Sequence, residues 1–231
     1  QLHFDLAAND WEWRAVPIND AERWIGFDLF SAFLFPFLRQ LMCLLSGFFV
    51  WQSLRRRGWQ IFLGHRLLRL GVPFILGTYL LIPVAFYPVY RITAVDPGWS
   101  AFLSHWTALP VTPSGPMWFL WFLFALNIGA AAVYRLSPQT GRFPAALLAK
   151  AVDAAHTGRL FIFLISISAA AYLPLSGVYP PWKWVEVGPF ELPPAFAPQN
   201  GIYFWLGVKL GANDDEGGWL VGNGEWLGGW V

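Results

Sequence analysis

Two apolar runs, each long enough to cross a bilayer, are joined by a short arginine-packed stretch, and few folds accommodate that arrangement. The upstream run, SAFLFPFLRQLMCLLSGFFVW, covers Ser31–Trp51, and the downstream run, LGVPFILGTYLLIPVAFYPVY, covers Leu70–Tyr90. Between them Arg55, Arg56, Arg57, His65, Arg66 and Arg69 crowd a segment too short for a domain. A helix needs about 20 apolar residues to span a bilayer core. A dense Lys/Arg cluster between two such helices marks a connection on the cytoplasmic side. Only 13% of the 231 residues are charged, against about 25% in ordinary soluble domains. A water-soluble fold of this size has no interior for 15 Trp and 21 Phe. The chain reads as an integral membrane protein. Its single cysteine, Cys43, lies inside an apolar run, which excludes an intrachain disulfide.

Further apolar segments set the expected architecture: an all-α, polytopic transmembrane bundle of four to five spans. The first runs from about Trp24 to Trp51, with Asp28 near one end, Arg39 well inside and Pro36 expected to kink it. Ser46-Gly47 in the same run is a small-residue spot where another helix can approach closely. The second span is Leu70–Tyr90, the third Pro116–Tyr134 and the fourth Leu160–Val178. Gly201–Ala212 begins a fifth that Lys209 and Asp214-Asp215-Glu216 cut short. Residues 1–212 are taken as one membrane domain and 213–231 as a Gly/Trp-rich tail. The stretches Arg55–Arg69 and Arg135–Arg159 together hold nine Lys/Arg, whereas Arg91–Gly115 and Tyr179–Asn200 hold only Arg91 and Lys183. That alternation places the two basic loops in the cytoplasm. Gln1–Arg23 is polar, lacks the apolar core of a signal peptide and is assigned to the non-cytoplasmic face. The absence of an initial Met points to a missing upstream segment.

Three pieces taken together resemble the acyltransferase 3 family of membrane proteins, nearest to its glucan succinyltransferase branch, glucans biosynthesis protein C. They are LRQLMCLLSGFFVW (Leu38–Trp51), FLGHRLLRLGVP (Phe62–Pro73) with its Arg-x-x-Arg, and PMWFLWFLFAL (Pro116–Leu126). GIYFWLGVKLG (Gly201–Gly211) is a weaker fourth. The resemblance covers roughly Leu2 to Gly211 and implies about half of the family's spans. It implies transfer of an acetyl or succinyl group from a cytoplasmic acyl-CoA co-substrate to a carbohydrate hydroxyl on the outer face. In that scheme Arg66 and Arg69 hold the donor, Arg39 lines the reaction chamber or holds a donor group, and His3 is the general base. Acyl-CoA is a co-substrate, and no bound cofactor is expected.

Each assignment competes with an ordinary one. Arg66 and Arg69, three residues apart, share one face of a helix, and guanidinium groups bind phosphate bidentately. Basic residues at helix ends also anchor spans to lipid headgroups. A charge inside a span costs roughly 2.5–3.5 kcal/mol on insertion scales, so Arg39 faces a cavity or a partner, or else it snorkels. Histidine has the near-neutral pKa that proton abstraction from a hydroxyl needs, yet a histidine near a chain end is commonly solvated. His65 and His105 are alternatives to His3. Asn127 is assigned to an interhelical hydrogen bond, and Trp11, Trp13, Trp182 and Trp184 to an interfacial belt. No metal-ligand spacing, phosphate loop or nucleophile elbow appears, and nothing suggests nucleic-acid binding. A transporter or flippase-like carrier without chemistry fits the kinked spans and intramembrane arginine equally well.

Overall fold

A computed structural model describes residues 25–109, 112–136, 157–180 and 183–212. Helix α1 (Ile25–Phe48) runs through Pro36 and continues almost without pause as α2 (Val50–Arg57). Gly58 then turns the chain with φ 74° and ψ 162°, a conformation essentially reserved for glycine because any Cβ would collide with its own backbone. One residue later a long helical rod, α3, begins and covers residues 59–93. The expected Arg55–Arg69 loop is therefore not a loop. Arg55, Arg56 and Arg57 end one helix, while His65, Arg66 and Arg69 lie within the next. The arginines and leucines between Arg55 and Arg69 are good helix formers, and the helix carries Gly64 within it, so only Gly58, with its positive φ, interrupts it.

The second span also carries Pro73, Pro83 and Pro88. They neither break nor end the rod. A π-helical turn, Leu67–Gly71, precedes Pro73, and another, Gly77–Leu81, precedes Pro83. A proline ring clashes with the carbonyl four residues back and offers that carbonyl no N–H. Widening the preceding turn relieves the clash, and single π turns of this kind recur at functional sites.

Beyond the rod lie α4 (Trp99–Thr107), α5 (Trp118–Leu136), α6 (Thr157–Val178), a two-stranded antiparallel hairpin β1 (Val185–Val187) and β2 (Phe190–Leu192), and α7 (Ala197–Ala212). Among the described residues three helical segments are long and apolar enough to cross a membrane: Phe37–Arg57, Trp59–Ile92 and Gly115–Leu136. Ile162–Val178 is a shorter apolar helix, and α7, the expected fifth span, has 16 residues. Outward faces carry bare apolar side chains, such as Phe33 at 70% and Leu68 at 66% exposure. A continuous surface of that kind would aggregate in water, whereas it matches lipid. The structure is a helical membrane bundle.

The core gathers where α1, α2, α3, α5 and α7 meet, around Cys43, Trp51, Leu54, Phe62, Leu123 and Phe204. Helices α1 and α7 lie side by side and parallel. Gly47 faces the backbone of Phe204, Gly207 the carbonyl of Leu44, and Gly211 the carbonyl of Phe48, each too close to admit a Cβ. The Ser46-Gly47 spot thus does admit a neighbouring helix, and the neighbour supplies glycines of its own. Trp51 meets Tyr134 edge to face at 5.2 Å, and the Arg135 guanidinium sits 5.1 Å from the centre of the Trp59 ring. These contacts bring Arg55–Arg57 and Arg135 to one end of the bundle. Residues 137–156, with most of the second basic stretch, and the tail 213–231 lie outside the described residues.

Candidate functional site

The basic end gathers Arg55–Arg57, Arg66, Arg69 and Arg135, and the few acids among the described residues lie away from it. The described residues include four acids, Asp28, Asp96, Glu186 and Glu191. Asp28 lies early in α1, and the other three lie beyond the far end of the rod or in the hairpin segment. Arg66 sits one helical turn from Phe62, which is 1% exposed, and one turn from Leu70, which packs against the core. Its guanidinium lies 5.2 Å from the centre of the Phe62 ring. The side chain is half-buried and therefore faces the bundle and not lipid. Arg69 is exposed, lies in the first π turn, and is close enough for its charge to repel that of Arg66. No carboxylate among the described residues pairs with either. Two like charges held together favour a ligand with at least two negative oxygens. His65 is exposed beside them.

Arg39 lies elsewhere, well up α1. Its guanidinium is 4.3 Å from the centre of the Phe196 ring, and Phe196 stacks on Tyr172 at 5.2 Å. Its Nε is buried without an acceptor. A cation–π contact is worth about 0.5–2 kcal/mol, which does not offset the roughly 2.5–3.5 kcal/mol of placing the charge in a span. Two amides nearby are also unsatisfied. Gln40 is 6% exposed and Asn200 0%, and neither Gln40 Oε1 nor either polar atom of the Asn200 side chain has a hydrogen-bond partner. Each such orphan costs about 1–3 kcal/mol. Close by, the Ser168 and Tyr203 hydroxyls share a 2.9 Å hydrogen bond between α6 and α7. The structure thus separates Arg39 from Arg66 and Arg69 into two centres at different depths. The side chain of Asp28, the one acid on the same helix, lies outside the described residues, as does His3.

A second assembly lies over the start of α5. The hairpin folds back so that the Ser114 N–H donates to Glu191 Oε1 at 2.8 Å and the Trp121 indole donates to the Glu191 carbonyl at 3.0 Å. Trp184 packs edge to face on Trp118 at 5.7 Å, so it is part of this clamp. Phe190 stacks on Phe74 at 5.6 Å and meets Trp121 at 5.4 Å. Burial pushes the Glu191 carboxyl above the usual glutamate range; the Ser114 backbone hydrogen bond opposes this, and Glu186, its cross-strand partner, reinforces it. The proton is held more tightly in the folded than in the unfolded chain. The stability this supplies is full below the ordinary glutamate value near 4.5 and is lost as pH rises through the raised folded value. Glu191→Gln keeps an acceptor for Ser114 and removes the titration. The expected result is that wild-type melting temperature falls relative to Glu191→Gln as pH rises above 4.5, checked by thermal melts in detergent. No local pattern in the sequence announces this clamp, because its partners are 70 and 77 residues apart.

Asn127 departs from expectation. Its Nδ2 donates to Leu123 in its own helix at 2.7 Å, not to another helix, and its Oδ1 is buried without a partner. His105 is exposed on α4, its ring 5.5 Å from that of Tyr90 and far from the arginine pair. It belongs to an aromatic cluster in which Tyr87, Tyr90, Trp99 and Trp106 surround buried Phe102. Among the described residues no group of His, Cys, Asp and Glu could hold a metal ion.

The family model described as an acyltransferase domain matches the chain over residues 2–222. No curated protein and no solved structure matches it. With a helical membrane bundle matched along almost its whole length, the chain belongs to the acyltransferase 3 family and is a membrane acyltransferase.

Proposed function

We propose that this acyltransferase works in a bacterial inner membrane, with its basic end in the cytoplasm. It takes an acetyl or succinyl group from acyl-CoA there and delivers it to a carbohydrate hydroxyl at the opposite face, as a member of the glucan succinyltransferase branch. The observation that carries this reading is the placement of Arg66: in line with buried Phe62 and Leu70, beside Arg69, and with no carboxylate among the described residues to neutralise either. A lipid anchor needs no such inward placement, whereas a phosphate-bearing donor does. The donor's phosphates occupy the arginine pair, and the basic residues Arg55–Arg57 and Arg135 raise its local concentration.

His3 takes the acceptor's hydroxyl proton as that oxygen attacks the thioester carbonyl. The new ester C–O bond forms, the C–S bond breaks, and the CoA thiolate leaves with a proton. The test uses membranes containing the full chain, supplied with labelled acyl-CoA and a glucan acceptor. Alkali-labile label should appear in the glucan, and His3→Ala should lower it about 100-fold or more, the usual contribution of a positioned base. Label that crosses the membrane with no ester formed, unchanged by His3→Ala, would establish the carrier reading instead.

A further inference from the structure

We infer that the clamp over the start of α5 is the acceptor's seat, where a neutral, hydroxyl-rich ring lies against Trp121 and Trp184 and gives one hydroxyl to the Glu191 carboxylate and the Ser114 Oγ. This rests on the acyltransferase reading above and adds what that reading leaves open: the residues that receive the acceptor, and the charge they require of it.

Three observations converge. The first is unspent hydrogen-bonding capacity. Ser114 is fully buried and its Oγ has no partner, and the Nε1 of Trp184, whose ring packs on Trp118, is buried without an acceptor. Thr78 Oγ1 is also fully buried and unpartnered. It lies in the second π turn, directly behind the clamp, where Met117 packs on Gly77 and the Ile82 side chain approaches Gly115. A buried polar group without a partner is costly. A hydroxyl both gives and takes hydrogen bonds, so a hydroxylated ligand satisfies serine, indole and carboxylate together, which an apolar molecule does not.

The second is a carboxylate placed by the backbone. The Ser114 N–H donates to Glu191 Oε1 at 2.8 Å, which sets the carboxylate beside the Ser114 hydroxyl. Glu191 is only half-buried, and a carboxylate has about four lone-pair sites, so it still accepts from an O–H arriving from outside. Trp121 and Trp184 are half-buried as well, and an indole offers a large apolar face to the C–H side of a ring while its N–H seeks a polar partner. Across the strand Glu186 adds a second acid, and Lys183 lies over the Tyr179 ring, 5.5 Å from its centre. Two carboxylates repel an anionic acceptor here.

The third is position. Helix α5 runs from Trp118 in the clamp to Arg135 at the basic end, 17 residues and about 26 Å. On the α3 rod Thr78 lies nine residues beyond Arg69, about 14 Å. One helix therefore carries both the arginine pair and the back wall of the clamp. An acyl-CoA whose phosphates rest on Arg66 and Arg69 extends its long flexible arm along that rod toward the acceptor.

The experiment uses the full chain in lipid nanodiscs with labelled acyl-CoA and two acceptors, a neutral glucan oligomer and the same oligomer oxidised to a carboxylate at C6. Wild type should show a KM at least tenfold lower for the neutral oligomer. Ser114→Ala keeps the N–H that holds Glu191, and should raise that KM about tenfold while the acyl-CoA KM stays within about twofold. Glu191→Gln should do the same and bring the two acceptors within about threefold of each other. Equal KM for the two acceptors in wild type overturns the proposal. An acceptor KM unmoved by Ser114→Ala also overturns it, even if Glu191→Gln fails to fold. A lower kcat with both KM values unmoved overturns it too and leaves the clamp a structural device. Should wild type form no ester from any donor, the acyltransferase scheme has failed, and calorimetric binding of the neutral oligomer alone decides the seat. Binding about tenfold weaker in Ser114→Ala then supports it, and equal or absent binding overturns it.

Discussion

Replacing Arg66 and Arg69 together by alanine is expected to weaken acyl-CoA binding by roughly a hundredfold or more. Hydrogen bonds to charged groups contribute about 1.5–3 kcal/mol each, which is roughly tenfold to a hundredfold in affinity. Arg66→Ala should cost more than Arg69→Ala. Arg66 is half-buried against Phe62, where water competes less, whereas Arg69 is exposed. The residual binding should also lose much of its salt dependence, since screening acts on charges it can reach. Titration of both single variants and the double variant at low and high ionic strength checks this. Donor affinity unchanged in the double variant would leave the pair as a lipid anchor. Lysine at both positions should restore only part of the affinity, because an ammonium is a point charge without the planar fork that engages two phosphate oxygens.

The second large effect concerns stability. Gly207→Leu is expected to abolish the monodisperse protein in detergent, and Gly207→Ala to lower its melting temperature clearly. A Cβ at Gly207 enters the space of the Leu44 carbonyl, and one at Gly211 that of Phe48. Those obstacles are backbone, so the helices must part for the side chain to fit. Separation removes the packing that holds α7 to α1, including contacts of Phe204 and Val208 in the core. Overpacking of this kind costs about 1–3 kcal/mol and sometimes more, and between helices in lipid close backbone approach is a main source of association. Gly129→Ala on α5 is the control. Nothing lies within 4 Å of its added Cβ, and a helical Gly→Ala change stabilises by roughly 0.5–1 kcal/mol. Size-exclusion profiles and thermal melts of the three variants decide the point. Equal behaviour of Gly207→Ala and Gly129→Ala would contradict the α1–α7 contact.

The two predictions address different layers of the molecule. Arg66 and Arg69 stood out through the family resemblance and their shared helix face, but whether Arg66 faced lipid or protein depended on the position of Phe62. The glycine contact was half visible, since Ser46-Gly47 advertises a close approach without naming what approaches. Its partner lies more than 150 residues along the chain, and no local pattern couples the two.

Membrane residence and helical architecture were written in the amino-acid order itself, because a bilayer demands long uncharged runs and a backbone that satisfies its own hydrogen bonds. The basic stretches likewise declared which ends belong together, and Arg39 stood out because charge inside such a run is costly. What the order could not convey was how the elements join and meet. A single glycine at position 58 replaces a loop, π turns carry two prolines without a break, Asn127 bonds within its own helix, and Glu191 reaches back to Ser114. Those outcomes depend on contacts between segments far apart in the chain, and on the balance among small backbone energies at each turn. Only the packed structure resolves that balance, and it alone sets Arg39 and the arginine pair at separate depths.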